Sequence, residues 1–274
     1  MNIKKHKRTQ TNIMLYTEGR KKLLIDRRNM IIEYLEQFGS AKVEELSQKL
    51  NVTPMTIRRD LQYLEDNNIV SRTFGGAILK SGLTSEVPYK NKVISNMDEK
   101  KRIAKYSVSL VQNGQIIYLD SGTTNMEIAK QLKSKQNLTV VTNDIKIAGY
   151  LSFSSNFKIL CTGGWVQNST GTCLGSHTIE FLKGINVDIG FIGSSSVSYK
   201  SGLTTPTFEK ADVKKQAIKS ATKLVLVIDN SKFGKESFAK VCNLDEFDLV
   251  VTDSGLSEKA HELLKKENIN VKLV

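Results

Sequence analysis

The sequence predicts an α/β protein: an amino-terminal winged helix-turn-helix domain, then a larger α/β domain with a mainly parallel sheet. Three observations carry that expectation. Residues 29–80 show three short helical stripes followed by a small hairpin. From about Asp98, short apolar runs alternate with helical segments, the pattern of a parallel sheet covered on both faces. Each of those runs ends in small, hydroxylic or acidic residues, where open α/β sheets place their ligand crevices.

Composition sets the outer limits. At 274 residues the chain is long for one domain and sufficient for a small one plus a larger one. The 39% hydrophobic and 25% charged residues are those of an ordinary soluble protein, and only 3 prolines argue against long disordered or proline-rich segments. The net charge of +12 favours an anionic partner, and half of that excess lies within residues 1–80. Cys161, Cys173 and Cys242 are odd in number and scattered, as are His6, His177 and His261. That spacing suits a reducing cytoplasm, and neither a metal site nor a cofactor is expected. No apolar run reaches the length of a membrane span.

Residues 1–26 form a basic extension. Met1 to Arg28 holds nine Lys/Arg against Glu18 and Asp26, which reads either as a solvated tail or as an arm along a DNA backbone. The first helix then shows Met30, Ile31, Tyr34, Leu35 and Phe38 on one stripe and stops at Gly39. Val43, Leu46 and Leu50 mark a second, closed by Asn51. The third has Thr53 as N-cap and Pro54 at its first position, where a missing N–H costs nothing. Its buried stripe is Ile57, Leu61 and Leu64. The other face carries Met55, Thr56, Arg58, Arg59 and Gln62, a short cationic surface suited to a DNA major groove. An ordinary amphipathic helix would show the same stripe, so the order of the neighbours decides.

Those neighbours complete a wing. Ile69 to Phe74 reads as a strand, Gly75-Gly76 as a tight turn and Ala77 to Leu79 as the returning strand, with Asn67-Asn68 breaking the helix before them. The four-residue turn between helices two and three fits the helix-turn-helix motif. DNA-contacting candidates are Thr53, Met55, Thr56, Arg58, Arg59, Asp60 and Gln62 on the third helix. Ala41 and Lys42 join them at the start of the second, and Arg72 on the wing. This domain is expected to span residues 27–80, with residues 81–97, polar and lacking a clear period, as the linker.

Residues 98–274 make the second domain. A helix is expected over residues 101–111. Strands are expected at 115–119, 138–142, 158–161, 187–192, 224–228 and 249–252, with helices at 126–132, 145–151, 179–182, 211–221 and 258–267. Of the loops, Asp120-Ser121-Gly122-Thr123-Thr124 has the clearest task. It leads from a strand into a helix, where free N–H groups and the helix dipole favour a phosphate. Ser, Gly and Thr equally serve as a helix cap, and both readings stand. Lys232 near the same edge is either a ligand cation or a solvated lysine. Glu209-Lys210 and Lys214-Lys215 either face the crevice or form a charged surface, and periodicity does not choose.

Residues 29–80 resemble the amino-terminal domain of the DeoR family of bacterial sugar-metabolism regulators. Three stretches carry the likeness: Glu44-Glu45-Leu46, the run from Val52 through Thr-Ile-Arg-Arg-Asp to Leu61, and Arg72-Thr73-Phe74-Gly75-Gly76-Ala77. The second domain resembles the family's sensor domain through Asp-x-Gly-Thr-Thr at 120–124, Val-Val-Thr-Asn at 140–143 and Gly163-Gly164. Further on it matches Gly-Leu-Thr-Thr at 202–205, Asp-x-Ser-Lys at 229–232 and Thr-Asp at 252–253. Phe74, Gln167, Ser195-Ser196 and Lys210 depart from the family pattern. The resemblance implies a sensor fold similar to ribose-5-phosphate isomerases and coenzyme A transferases. It implies a cytoplasmic homodimer or homotetramer, without a membrane partner, that binds operator DNA and represses a carbohydrate operon under control of a phosphorylated sugar. It also implies that Asp120, Gly122, Thr123 and Thr124 cradle the phosphate, with Ser121, Gly163 and Gly164 alongside, while Asn143, Glu209 and Lys232 line the sugar. The rival expectation is a sugar-phosphate isomerase-like enzyme with an appended DNA-binding domain.

Overall fold

The computed structural model describes residues 27–274 apart from 33, 36–37, 67–68, 80–82, 85, 88 and 94. The basic extension, Asn67-Asn68 and Pro88 lie outside the described residues. The chain divides into two compact units. Residues 1–81 and 90–95 form the first, residues 82–89 and 96–274 the second.

In the first unit, helix α1 is described at 27–32, 34–35 and 38. Gly39, with φ +75, ends it by a bond from its N–H to Leu35 O. Helices α2 (Val43–Lys49) and α3 (Pro54–Asp66) follow. Thr53 caps α3 as expected: its Oγ1 accepts the Thr56 N–H at 3.3 Å. Ile31, Leu35, Leu46, Ile57, Leu61 and Leu64 meet in one core, each burial worth about 1.5–3 kcal/mol.

The wing holds one strand more than the sequence reading. Strands β1 (Ser40–Lys42), β2 (Val70–Thr73) and β3 (Gly76–Leu79) form an antiparallel sheet ordered β1-β3-β2. Strand β1 was not expected, since three residues show no period. The turn also moves by one residue: Phe74 and Gly75 make it, and Gly76 already belongs to β3. Gly75 supplies the positive φ of +81. Gly76 lets β1 approach, because a Cβ there would lie 2.2 Å from Ala41 O.

The single helical turn α4 (Tyr89–Lys92) has Tyr89 in the second unit and its other residues in the first, and α5 (Met97–Ser109), in the second, starts four residues earlier than expected. Strands β4 (Ile116–Leu119), β5 (Thr139–Thr142) and β6 (Lys158–Cys161) come next, interleaved with α6 (Thr123–Gln131) and α7 (Ile145–Ser154). A hairpin of β7 (Trp165–Gln167) and β8 (Thr172–Leu174) leads to α8 (Ser176–Lys183) and β9 (Val187–Ile192). Strands β10 (Ser196–Ser198) and β11 (Gly202–Thr205) precede α9 (Phe208–Lys219) and β12 (Ala221–Val227). The chain ends with β13 (Ala239–Cys242), β14 (Leu249–Thr252), α10 (Glu258–Lys266) and β15 (Val271–Leu273).

The six strands expected from apolar runs are all present, and β15 completes a seven-stranded sheet, β15-β14-β12-β9-β4-β5-β6, in which every pairing is parallel. Strands β10, β11 and β13 form a separate antiparallel sheet that the sequence reading missed. Apolar clusters cover both faces of the large sheet, Tyr118, Leu226 and Val250 packing on one side and Leu119, Phe191 and Val227 on the other.

Strand order fixes where a ligand crevice can form. From β4 the chain steps outward through β5 and β6, then returns to place β9 on the other side of β4. Strands β12, β14 and β15 continue from there. The direction therefore reverses between β4 and β9, and the crevice of such a sheet opens at the carboxyl ends of those two strands. Asp120 follows β4, and Gly193 follows β9.

Candidate DNA-reading face and sensor crevice

On α3, Met55, Arg58, Arg59 and Gln62 are exposed and Thr56 is partly so. Arg58 makes only a long, exposed contact with Glu44, 3.7 Å, which leaves it available to a phosphate or a base. The wing is tied to this face. Arg72 Nη1 donates to Gln62 Oε1 at 3.0 Å, and the Arg72 N–H donates to Glu65 at the same distance. Gln62 in turn donates to Asp66. Phe74 projects from the wing tip, 109% exposed.

Two residues expected on this face are turned elsewhere. Asp60, 1% exposed, points inward and accepts bonds from Arg27 Nε at 2.6 Å and Arg28 Nε at 2.9 Å. The Arg28 guanidinium also stacks 3.5 Å from the centre of the Tyr63 ring. Asp60 thus ties α1 to α3 from the buried side of the helix, away from the exposed face on which the sequence reading placed it. Ala41 is buried between β1 and the core opposite Ala77, while its neighbour Lys42 is exposed.

In the second unit, no side chain caps the amino end of α6. Its first bond runs from the Met126 N–H to Gly122 O, so the earlier N–H groups face the carboxyl end of β4. Gly122 has φ +154, and nothing lies within 4 Å of where a Cβ would stand. A backbone that only glycine adopts easily, beside open space, is what close approach of a ligand requires.

Around this turn the structure assembles a polar wall. Asp120 Oδ2 accepts the Gly193 N–H at 3.1 Å and pairs with Lys214, whose ammonium also donates to Gly193 O. Asp120 Oδ2 is therefore turned toward Lys214, whereas the sequence reading put Asp120 with the phosphate, against which its own charge would act. Among the described residues its other oxygen, Oδ1, has no partner, nor do the amide nitrogen and oxygen of the fully buried Asn125. Unpaired polar atoms at such depth are exceptions in folded proteins and call for a water or a polar ligand. The Ser121 N–H is held by Asn143 Oδ1 at 2.9 Å. The Ser121 hydroxyl donates to Asp144 and accepts from the Thr172 hydroxyl.

Charge around the wall is set by burial. Burial pushes the Asp144 carboxyl up, against the Lys146 N–H and ammonium and the Ser121 hydroxyl, which hold it down. Burial pulls Lys146 down, with Asp144 opposing. The Lys146 ammonium bonds Thr170 O and sits 4.2 Å above the Tyr89 ring. Burial, helped by the charges of Asp144 and Glu127, pushes the Tyr89 hydroxyl up to about 12.

Other expected residues sit on α9 and on the turns after β6 and β12. Glu209 is exposed in the first turn of α9, whereas Lys210 and Lys214 on the same helix are buried. Gly163 and Gly164, both with positive φ, hold the turn after β6, where Gly163 O accepts the Thr178 hydroxyl at 2.6 Å. Lys232 follows β12 and lies 3.8 Å from Asp229. Burial raises the Asp229 carboxyl, but Lys232, the Ser231 hydroxyl, Lys100 and Asn96 outweigh it and bring it below its ordinary value. The sequence reading missed Asn125 altogether and left Lys214 undecided.

Comparison with known proteins covers both units. Residues 27–82 match the family model of the DeoR-like helix-turn-helix domain, and residues 95–254 that of the DeoR C terminal sensor domain. The HTH-type transcriptional regulator YgbI of Escherichia coli (strain K12) is 38% identical over 247 residues, 90% of this chain and 96% of its own. The glycerol-3-phosphate regulon repressor of the same organism is 31% identical over 247 residues, 90% and 98%. The HTH-type transcriptional regulator GlpR of Haloferax volcanii is 33% identical over 246 residues, 90% and 96%. Among solved structures, ribose 5-phosphate isomerase A from Methanocaldococcus jannaschii is 21% identical with a TM-score of 0.38, covering 51% of this chain and 55% of that one.

Proposed function

The chain belongs to the DeoR family of DNA-binding transcriptional regulators, and on that premise we propose that it represses a carbohydrate operon under control of a phosphorylated sugar bound at the Asp120 crevice. The uncapped amino end of α6, open beside Gly122 at the point where strand order reverses, carries this reading. The N–H groups of that turn and the hydroxyls of Thr123 and Thr124 take the phosphate, favoured by the helix dipole. Asp120 Oδ1 and the Asn125 amide take sugar hydroxyls, because a buried acceptor and donor without partners reward a ligand that supplies both. Lys214 offsets the Asp120 charge, so the crevice admits an anion.

Control then follows from linkage. A sugar phosphate that binds one arrangement of the protein more tightly, where that arrangement holds operator poorly, lowers operator affinity, and operator weakens sugar binding by the same factor. A homodimer or homotetramer is required, since one recognition helix reads a half-site. We assign residues 27–80 to DNA reading, 81–97 to the connection and 98–274 to sensing, with no catalytic role.

The test is a thermal-shift screen of the full chain against phosphorylated sugars, followed by operator binding with the hits. A ligand at a hundredfold excess over its Kd should stabilise the protein by about 2.7 kcal/mol. The same compound must release operator. If no phosphorylated sugar stabilises the chain, or a hit leaves operator binding untouched, the reading fails. Turnover of a hit into its isomer would favour an enzyme instead.

A further inference from the structure

The chain passes between its two units through residues 82–96, and residues 82–89 pack with the second. Three attachments hold this strap. The Phe238 N–H donates to Leu83 O at 2.7 Å, Glu86 pairs with Lys210, and the Tyr89 N–H donates to Ser169 O at 3.0 Å. The Tyr89 ring also lies under the Lys146 ammonium. The attachments thus fall on both sides of the crevice: Lys210 on α9, and Ser169 with Lys146 beside the Asp144–Thr172 wall.

The middle attachment is the informative one. Lys210 and Lys214 are four residues apart on α9 and therefore neighbours on one face. Lys214 reaches Asp120 and Gly193 O inside the crevice, so Lys210 stands one turn away at its rim. Glu86 and Lys210 are only 12% and 10% exposed, so solvent screens their attraction weakly. A carboxylate of the strap sits on a cation that an anion entering the crevice would meet.

We propose that Glu86–Lys210 is a latch opened by the anionic group of the effector. The anion takes Lys210, Glu86 is released, and the strap leading to the DNA-reading unit comes free of α9. The occupant of Lys210 alternates between a carboxylate of the chain and an anion from solution, and this exchange transmits occupancy along the backbone. The inference rests on the crevice being the effector site.

The experiment uses the full chain with inorganic phosphate as the probe, reading its affinity by calorimetric titration and strap opening by chymotryptic cleavage after Tyr89, a site that none of the substitutions creates or removes. In the unaltered protein, phosphate should speed cleavage. Glu86→Gln should bind phosphate about tenfold more tightly and be cleaved at the fast rate without it. The reversed pair, Glu86→Lys with Lys210→Glu, restores the attraction, so it should stay closed and not open with phosphate. An unchanged affinity and cleavage rate in Glu86→Gln, or a reversed pair that opens with phosphate as the unaltered protein does, overturns the latch. Absence of phosphate binding in both the unaltered chain and Glu86→Gln overturns it too. The crevice reading fails separately, if Thr123→Ala with Thr124→Ala binds phosphate as tightly as the unaltered protein.

Discussion

Replacing Asp60 separates reading DNA from holding the reader in place. Its carboxylate is the common acceptor for Arg27 and Arg28, at 2.6 and 2.9 Å, and is 1% exposed, while the two arginines keep 20% and 18% of their side-chain surface. Asp60→Ala leaves two mostly covered guanidinium groups without their counter-charge. Removing one partner of such a group costs about 3–5 kcal/mol, and Arg28 keeps its stacking on Tyr63, so we expect about 3. For a domain of this size that lowers Tm by roughly 12–24 °C, at about 4–8 °C per kcal/mol. Scanning calorimetry of the full chain resolves the loss, and Trp165, the only tryptophan, reports the second unit, whose transition should not move. A first-unit Tm within about 3 °C of the unaltered protein would refute the reasoning. So would operator affinity lost at unchanged Tm, since Asp60 would then be touching DNA.

Four further outcomes are expected. Arg58→Ala should weaken operator binding by roughly 5- to 150-fold, about 1–3 kcal/mol, with stability and phosphate affinity unchanged, because its contact with Glu44 is long and exposed; retained operator affinity in a gel-shift titration would displace α3 as the reader. Thr123→Ala with Thr124→Ala should bind operator normally and no longer release it on adding the sugar phosphate. Phe74→Ser should leave Tm unchanged and lower operator affinity by a factor that does not vary with salt, as loss of an apolar groove contact does; a changed salt slope would speak against it. Asp229→Asn should be less stable than the unaltered chain at pH 7. Asp229 sits below its ordinary value of 3.8 in the fold, so its contribution is present above that pH and lost as pH falls through the lower, folded value. Urea unfolding at pH 7 and pH 3 should show the gap between the two proteins closing in acid.

The large elements were legible because their signals are local. Thr53-Pro54 followed by Ile57, Leu61 and Leu64 states where α3 starts and which side is buried, and the apolar runs locate the strands they locate because each fills a sheet covered on both faces. Asp60 was legible in part. It lies at i+3 from Ile57 and next to Leu61, on the buried stripe, where a carboxylate demands a partner; Arg27 and Arg28, more than thirty residues earlier, carry no local sign of being that partner. Strands β10 and β11 escaped notice for another reason. Ser196–Ser198 and Gly202–Thr205 are buried by the sheet they share, not by an apolar run of their own.

The Asp120 loop shows what strand order adds to a motif. Gly122, Thr123 and Thr124 by themselves describe either a capped helix or a phosphate turn, and no spacing within the loop separates the two. Strand order favours the proposed phosphate turn: β9 pairs with β4 on the side opposite β5, so the loop lies at the reversal of strand order, where neighbouring loops diverge and leave room. The same insertion explains Lys232. In sequence it follows a strand just as the Asp120 loop does, yet β9 stands between β4 and β12, and the lysine has Asp229 beside it. The cations close to the crevice come from α7 and α9 instead, as Lys146, Lys210 and Lys214. Lys210 and Lys214 pair with carboxylates and Lys146 with a backbone carbonyl. In the proposed latch, an entering anion displaces Glu86 to engage Lys210. Exchange of that kind gives a ligand differential affinity for two arrangements, the one property a regulator of DNA binding cannot do without.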